Sequence, residues 1–245
     1  MHYSTLKKQI LLALVFTFIA SATSATPIVF NFTGTIGNQM LDGGEPLKAW
    51  AQIPAWNGKT VSGTISMDLE GLQPAVQNDK EVGYSDSAEH DTSEQWLNVF
   101  INNPDGTSFN FPTFANFPEA DFNFSTASML ETGSYSFFSL TRGFTNYHSK
   151  KLPYQQIQFR LGTFGDTPYQ IYDSLDFNTV NFNPLAANYT NSAYVGYRMD
   201  NGDKIEYFFR IDSLTRAESE VPEPASLMLL LIGLTSLLLG RAKLR

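Results

Sequence analysis

The sequence predicts an all-β domain, an antiparallel β-sandwich or jelly roll, held between two apolar terminal segments. Three observations carry that prediction. Ile205, Tyr207, Phe209 and Ile211 alternate with Lys204, Glu206, Arg210 and Asp212, a period of two that a helix would not produce. Asn201-Gly202 and Asp105-Gly106 are favoured hairpin turns, because both pairs can take the positive φ such turns need. No long stretch of the body shows a helical period with caps; short runs are separated instead by Gly, Pro, Asn and Asp, as in sandwiches and jelly rolls.

The first element is not part of the domain. Lys7 and Lys8 precede the apolar run Ile10 to Ala20, and small residues follow from Ser21 to Ala25. That order is the layout of a secretory signal peptide over residues 1–25. The run is short for a spanning helix, so cleavage after Ala25, with Ala22 as the other site, fits better than a retained anchor. The body then runs from Thr26 to Ala217. "IVFNFTGTI" (Ile28 to Ile36) and "TVSGTISMDL" (Thr60 to Leu69) read as strands, as does "WLNVFI" (Trp96 to Ile101). "NPDGT" turns that last strand back into "SFNF" (Ser108 to Phe111). "YQQIQFRLGTF" (Tyr154 to Phe164) puts Ile157, Phe159 and Leu161 on one face and Gln156, Gln158 and Arg160 on the other. The Asn201-Gly202 hairpin closes the body. Phe-Asn-Phe recurs at 30–32, 109–111 and 122–124, too irregularly for a structural repeat.

Residues 218–224 are polar and then proline-rich, the character of a linker. "ASLMLLLIGLTSLLLG" (Ala225 to Gly240) follows without a charge, and Arg241, Lys243 and Arg245 sit beyond it. Residues 225–245 therefore read as a short transmembrane helix with a basic tip, near the lower length limit for spanning. The positive-inside rule keeps that tip in the cytoplasm and the body outside. The triplet Pro222, Glu223, Pro224, followed by this helix and tip, resembles the PEP-CTERM sorting signal of Gram-negative bacteria. The resemblance covers Val221 to Arg245. It implies recognition by an exosortase, a membrane-embedded cysteine transpeptidase that processes the tail near the triplet. It also implies export through the Sec translocon, trimming by signal peptidase, and delivery to the envelope, outer surface or extracellular matrix. Proteins of that family are often tied to exopolysaccharide and biofilm. The two prolines suit such a role physically, because they hold an extended segment just outside the membrane. A GPI-type signal is the rival reading, with sequon-like sites at Asn31, Asn123 and Asn188. The basic tip and the triplet weigh against it.

The body is acidic: 21 Asp and Glu against 11 Lys and Arg between Thr26 and Ala217, a net charge of −10. Such a surface repels phosphate backbones, so nucleic acid is not an expected partner. There are no cysteines, which excludes disulfides, thiolate metal sites and Cys nucleophiles. Nucleophile elbow, zincin, P-loop and dinucleotide motifs are all missing, and His90 and His148 are the only histidines outside the signal. No catalytic residue is assigned, although two unrecognised carboxylates could still serve a secreted glycan hydrolase. Asn78 to Trp96 is dense in acids. Asp86, Glu89 and Asp91 are candidate calcium ligands, though the EF-hand spacing is missing and a solvated acidic loop accounts for the same residues. Trp50 and Trp56 lie in a Gly/Pro-rich stretch and are candidates to stack on sugar rings; the alternative is that they plug an edge of the sandwich.

Together these features describe an exported surface or matrix protein with a structural or adhesive role linked to exopolysaccharide. A carbohydrate-binding module is the alternative. Replacing Pro222 and Glu223 with alanine is expected to leave the apolar tail attached to the mature protein. Mass spectrometry showing normal trimming in that variant would overturn the exosortase reading.

Overall fold

β1 (Ile28–Ile36) shows how the sheet is built. Ile28, Phe30, Phe32 and Ile36 are buried, while Asn31 and Thr33 between them are exposed. One face of each strand therefore points into the core and the other into water. The structure, a computed structural model, describes residues 27–37, 41–42, 44–46, 51, 53–88, 96–111, 122–145, 155–165, 170–198 and 204–217. The expected signal peptide, the Pro222–Glu223–Pro224 triplet, the expected transmembrane helix and the basic tip lie outside them. Among the described residues no helix is long and apolar enough to cross a membrane.

Thirteen strands are described. After β1 come β2 (Leu41–Asp42), β3 (Glu45–Pro46), β4 (Thr60–Met67), β5 (Val76–Gln77), β6 (Glu81–Ala88), β7 (Leu97–Asn102) and β8 (Ser108–Phe111). The second half adds β9 (Phe122–Glu131), β10 (Tyr135–Thr145), β11 (Gln155–Phe164), β12 (Thr190–Arg198) and β13 (Lys204–Arg216). Their order in space is β5-β6-β9-β10-β11-β12-β13-β1-β4-β7-β8, with β2 and β3 joined to β12. The pairings are antiparallel. The all-β, antiparallel expectation is met. In place of two separate sheets, however, hydrogen bonds run unbroken from β5 to β8, and this one sheet curls into a half-barrel.

The strands flanking both expected turns pair, with Asn201-Gly202 itself outside the described residues. β12 and β13 align from Ala193 opposite Phe209 to Arg198 opposite Lys204. β7 returns into β8 through Asn103 to Thr107, where Gly106 takes φ 84°. One stretch reads differently. Residues Asn78 to Trp96 are not all acidic loop, because Glu81–Ala88 forms β6 and pairs along β9. Val82 turns inward there, and Tyr84 packs on the same core; two apolar side chains two residues apart are enough to seat the strand.

Curling brings inward side chains of the two halves together. Phe32 on β1 meets Phe159 on β11 edge-on at 5.0 Å, and Phe109 on β8 stacks on Tyr197 of β12 at 4.4 Å. A β-bulge on β13 sharpens the bend, as extra residues in a ladder do. Thr33 faces Ser213 but Gly34 faces Ile211, so Asp212 has no cross-strand partner. Its carboxylate instead accepts from Thr35 Oγ1 (2.6 Å) and Arg210 Nε (2.7 Å). The extra residue lets both Ile211 and Leu214 point inward.

A curled single sheet has an open side, and residues 170–189, between β11 and β12, fill it. Ile171, Tyr172, Phe177 and Val180 of this segment are buried. Phe182 meets Phe30, Phe138 and Tyr172, and Phe177 meets Tyr84. Short polar side chains hold the backbone: Asp173 accepts from Asn181 N (2.8 Å) and Nδ2 (2.7 Å), and Tyr172 Oη donates to Leu130 O at 2.5 Å. Each fully buried Phe contributes about 1.5–3 kcal/mol, so this segment is part of the core.

Gly63 marks the tightest packing. A Cβ there would lie 1.9 Å from the Phe100 carbonyl oxygen and 2.7 Å from the Phe32 ring. Backbone cannot move aside as a side-chain tip can. Gly63→Ala is therefore expected to destabilise the fold by about 3 kcal/mol, read as a lower urea midpoint with an unchanged slope. A midpoint equal to wild type would show that Phe32 does not lie across Gly63.

Candidate functional site

Of the candidate stacking and ligand residues singled out in the sequence, only Trp56 and Asp86 lie among the described residues. Trp56 ends a 3-10 turn, Pro54–Trp56, and is only 6% exposed. Its ring meets Tyr207 edge-on at 5.4 Å. It is a core residue and not a stacking platform, because the turn folds the indole under β13 where its apolar area is removed from water. Trp50 lies outside the described residues. Asp86 sits in β6 opposite Ser125 of β9, while Glu89 and Asp91 lie outside the described residues. Among the described residues no group of three or more His, Asp or Glu could hold a metal ion.

The interior holds polar groups that the fold itself uses. Tyr207 Oη donates to Asn103 Oδ1 at 2.7 Å, and Asn103 Nδ2 donates to Thr107 Oγ1 at 3.0 Å and Tyr197 Oη at 3.3 Å. Burial pushes both phenols above their ordinary range; Tyr197 and Asp105 push Tyr207 further, whereas Asn103 pulls Tyr197 back. Arg142 is fully buried in β10, its Nη1 donating to Ser125 Oγ (2.7 Å) and the Phe124 carbonyl (3.1 Å). Asp105 and Asp173 are held below the carboxylate range by hydrogen bonds from Thr107 and Asn181. A general acid needs the opposite shift.

The candidate binding site lies on the outer face instead, at one end of β10 and β11. Tyr135 and Phe137 point outward from β10, two residues apart, and Phe164 points outward from the end of β11 opposite Tyr135. Tyr135 stacks on Phe137 at 5.8 Å and tilts against Phe164 at 5.7 Å; Tyr189 closes the cluster at 5.9 Å from Tyr135 and 5.8 Å from Phe164. Phe137 lies across Gly162, 3.3 Å from where a Cβ would be. Phe164 is 60% exposed. Its backbone is nonetheless pinned, because Asn188 Oδ1 accepts from Phe164 N at 2.7 Å and Asn188 Nδ2 donates to Phe164 O at 2.9 Å. Burial raises the Tyr135 phenol, Tyr189 adds to this, and Arg160 opposes it. An exposed ring on fixed backbone loses little entropy when a flat apolar partner stacks on it. The geometry suits binding and offers no nucleophile or acid–base pair.

A second surface differs in kind. On the outer face of β13, β1, β4, β7 and β8, cross-strand rows are built from Ser, Thr and Asn. One row runs Ser213, Thr33, Ser62, Asn102 and Ser108. The next runs Thr215, Asn31, Thr64, Phe100 and Asn110, with Phe100 38% exposed.

No family model matches the chain, and no curated protein or solved structure matches it either.

Sequence reasoning missed the aromatic cluster. Its signal was present: Gln156, Gln158 and Arg160 mark the outward face of β11, and the same period carries on to Phe164. Trp56→Ala is expected to lose about 3–5 kcal/mol of stability, as a core residue does. Phe164→Ala should lose about 1 kcal/mol or less. Urea denaturation of the two variants checks this, and a reversed order would exchange their assignments.

Proposed function

We propose that this is an exported, exosortase-sorted protein of the cell surface or extracellular matrix, with a structural and adhesive role exercised through polysaccharide. The sorting half of the reading is supported by Pro222, Glu223 and Pro224, the apolar run after them, and the basic tip at Arg241, Lys243 and Arg245. Signal peptidase and the Sec translocon are its partners during export, and an exosortase is its partner at the membrane.

One observation carries the adhesive half: Phe164, 60% exposed on a backbone pinned by Asn188, within a four-ring cluster. Aromatic faces of this kind match the C–H face of a sugar ring, and Arg160 on the same face offers donors to ring hydroxyls. The same cluster also favours the narrower reading, a dedicated carbohydrate-binding module. The two halves of the curled sheet, turned face to face, give a sandwich-like body of the sort that presents ligands on its outer faces. Calcium enters this reading only through Asp86, Glu89 and Asp91, and the aromatic cluster does not require it.

The purified full chain is expected to bind the host's own extracellular polysaccharide saturably, with chelator as well as without. Phe164→Ala should weaken that binding at least about tenfold, as loss of an anchoring aromatic does. Leu185→Ala, which removes another exposed apolar side chain, should leave it unchanged. Equal binding by Phe164→Ala and wild type would remove the site. Absence of binding by wild type would overturn the adhesive reading, and binding lost only with chelator would move the site to the acidic stretch.

A further inference from the structure

We infer that the uncharged face around Phe100 is a second polysaccharide-binding face, so that one domain bridges two glycan chains. This rests on the polysaccharide reading given above. The direction of the two faces comes from the curl. β10 lies against β7 and β11 against β8, and inward side chains meet across the fold, as where Phe109 of β8 stacks on Tyr197 of β12, the strand beside β11. The outward faces of β7–β8 and of β10–β11 therefore point to opposite sides of the domain. Each carries one exposed phenylalanine, Phe100 on the first and Phe164 on the second.

The chemistry of the Phe100 face selects its occupant. Its central rows contain no Asp, Glu, Lys or Arg, in a chain with 24 acidic and 16 basic residues. Two rows without charge are matched by a partner without charge, with Arg210 and Asp212 bordering them beside Thr35, and the acidic chain disfavours a polyanion. A protein partner is a poor match, because stable interfaces need an apolar core and Phe100 is the one apolar side chain in these two rows. A neutral polysaccharide fits both facts. Its hydroxyls donate and accept, as do the Asn amides and the Ser and Thr hydroxyls, spaced about 4.8 Å across strands. Internal hydrogen bonds hold some of these groups in place: Thr33 Oγ1 and Ser213 Oγ are 2.6 Å apart, and Ser108 Oγ donates to Asn102 Oδ1 at 2.9 Å. Ordered groups lose less entropy on binding. Phe100, flanked by Thr64 and Asn110 in its row and Asn102 along its strand, supplies the stacking ring.

The test titrates full-length protein into the neutral fraction of the host's extracellular polysaccharide and reads binding and light scattering together. Wild type is expected to bind and to raise scattering to a maximum at an intermediate ratio, the mark of bridging. Phe100→Ala and, separately, Thr64→Lys should still bind through the Phe164 side. Both should lose the scattering maximum and roughly tenfold or more in apparent affinity as the second contact goes. Phe164→Ala should lose the maximum in the same way, and the Phe100→Ala, Phe164→Ala pair should lose binding. Circular dichroism and thermal midpoints confirm that each variant is folded. Binding without a scattering maximum, or a maximum unchanged in both Phe100→Ala and Thr64→Lys, would overturn the bridging inference while the polysaccharide reading stands. A wild-type dimer by sedimentation that Thr64→Lys dissolves would overturn it too, making the face a contact between copies. Failure of wild type to bind at all would remove the polysaccharide reading itself.

Discussion

The structure depends on how one continuous sheet buries its own concave face. Among the described residues no α-helix packs on it, and no separate second sheet covers it. The sheet solves this by curling until inward rings of β1 and β8 meet those of β11 and β12. Large aromatics make that possible, since they span the gap that smaller side chains would leave. The side that curling leaves open is filled by residues 170–189, whose Phe177 and Phe182 reach rings on β6, β1 and β10. Glycines mark where backbone and ring come closest, and Gly63 under Phe32 is the clearest case.

The same constraint orders the polar groups. A turn at Asn103 to Thr107 would otherwise be a loose hairpin tip. Asn103 points inward and joins Tyr197 and Tyr207, so the tip is tied to β12 and β13. Most buried polar groups are paired, as Asn103, Tyr197 and Tyr207 are here. On the bulged strand, Asp212 accepts from Thr35 and Arg210. The irregularity is held by hydrogen bonds at the surface and repaid by Leu214 in the core.

With the interior occupied by packing, the outer faces are the surfaces left to meet a ligand. There the domain carries two unlike surfaces. One is a tight aromatic cluster beside Arg160, and the other an array of amides and hydroxyls around one ring. Both have fixed side chains, because strands hold them in register and cross-strand neighbours limit their rotamers. Recognition of an extended, uncharged polymer needs little more than that.

The sequence by itself determined the all-β class and the polarity of the strands whose alternation is clear, and left β9 and β10 unassigned. Alternation along β1, β4, β11 and β13 is local, set by the two-residue period of a strand, and a hairpin such as β12–β13 needs only a turn and matched flanks. β6 was harder to read, since two apolar residues among acids are too few to show a period. Tertiary structure alone decided what covers what. One curled sheet and two stacked sheets share the same strand pattern, and the choice lies in contacts between residues far apart in the chain, such as Phe32 with Phe159. That choice also settled the tryptophan and the site. Trp56 went inside because a 3-10 turn tucked it beneath Tyr207, and Phe164 stayed outside because its strand's period left it there while Asn188 held it in place.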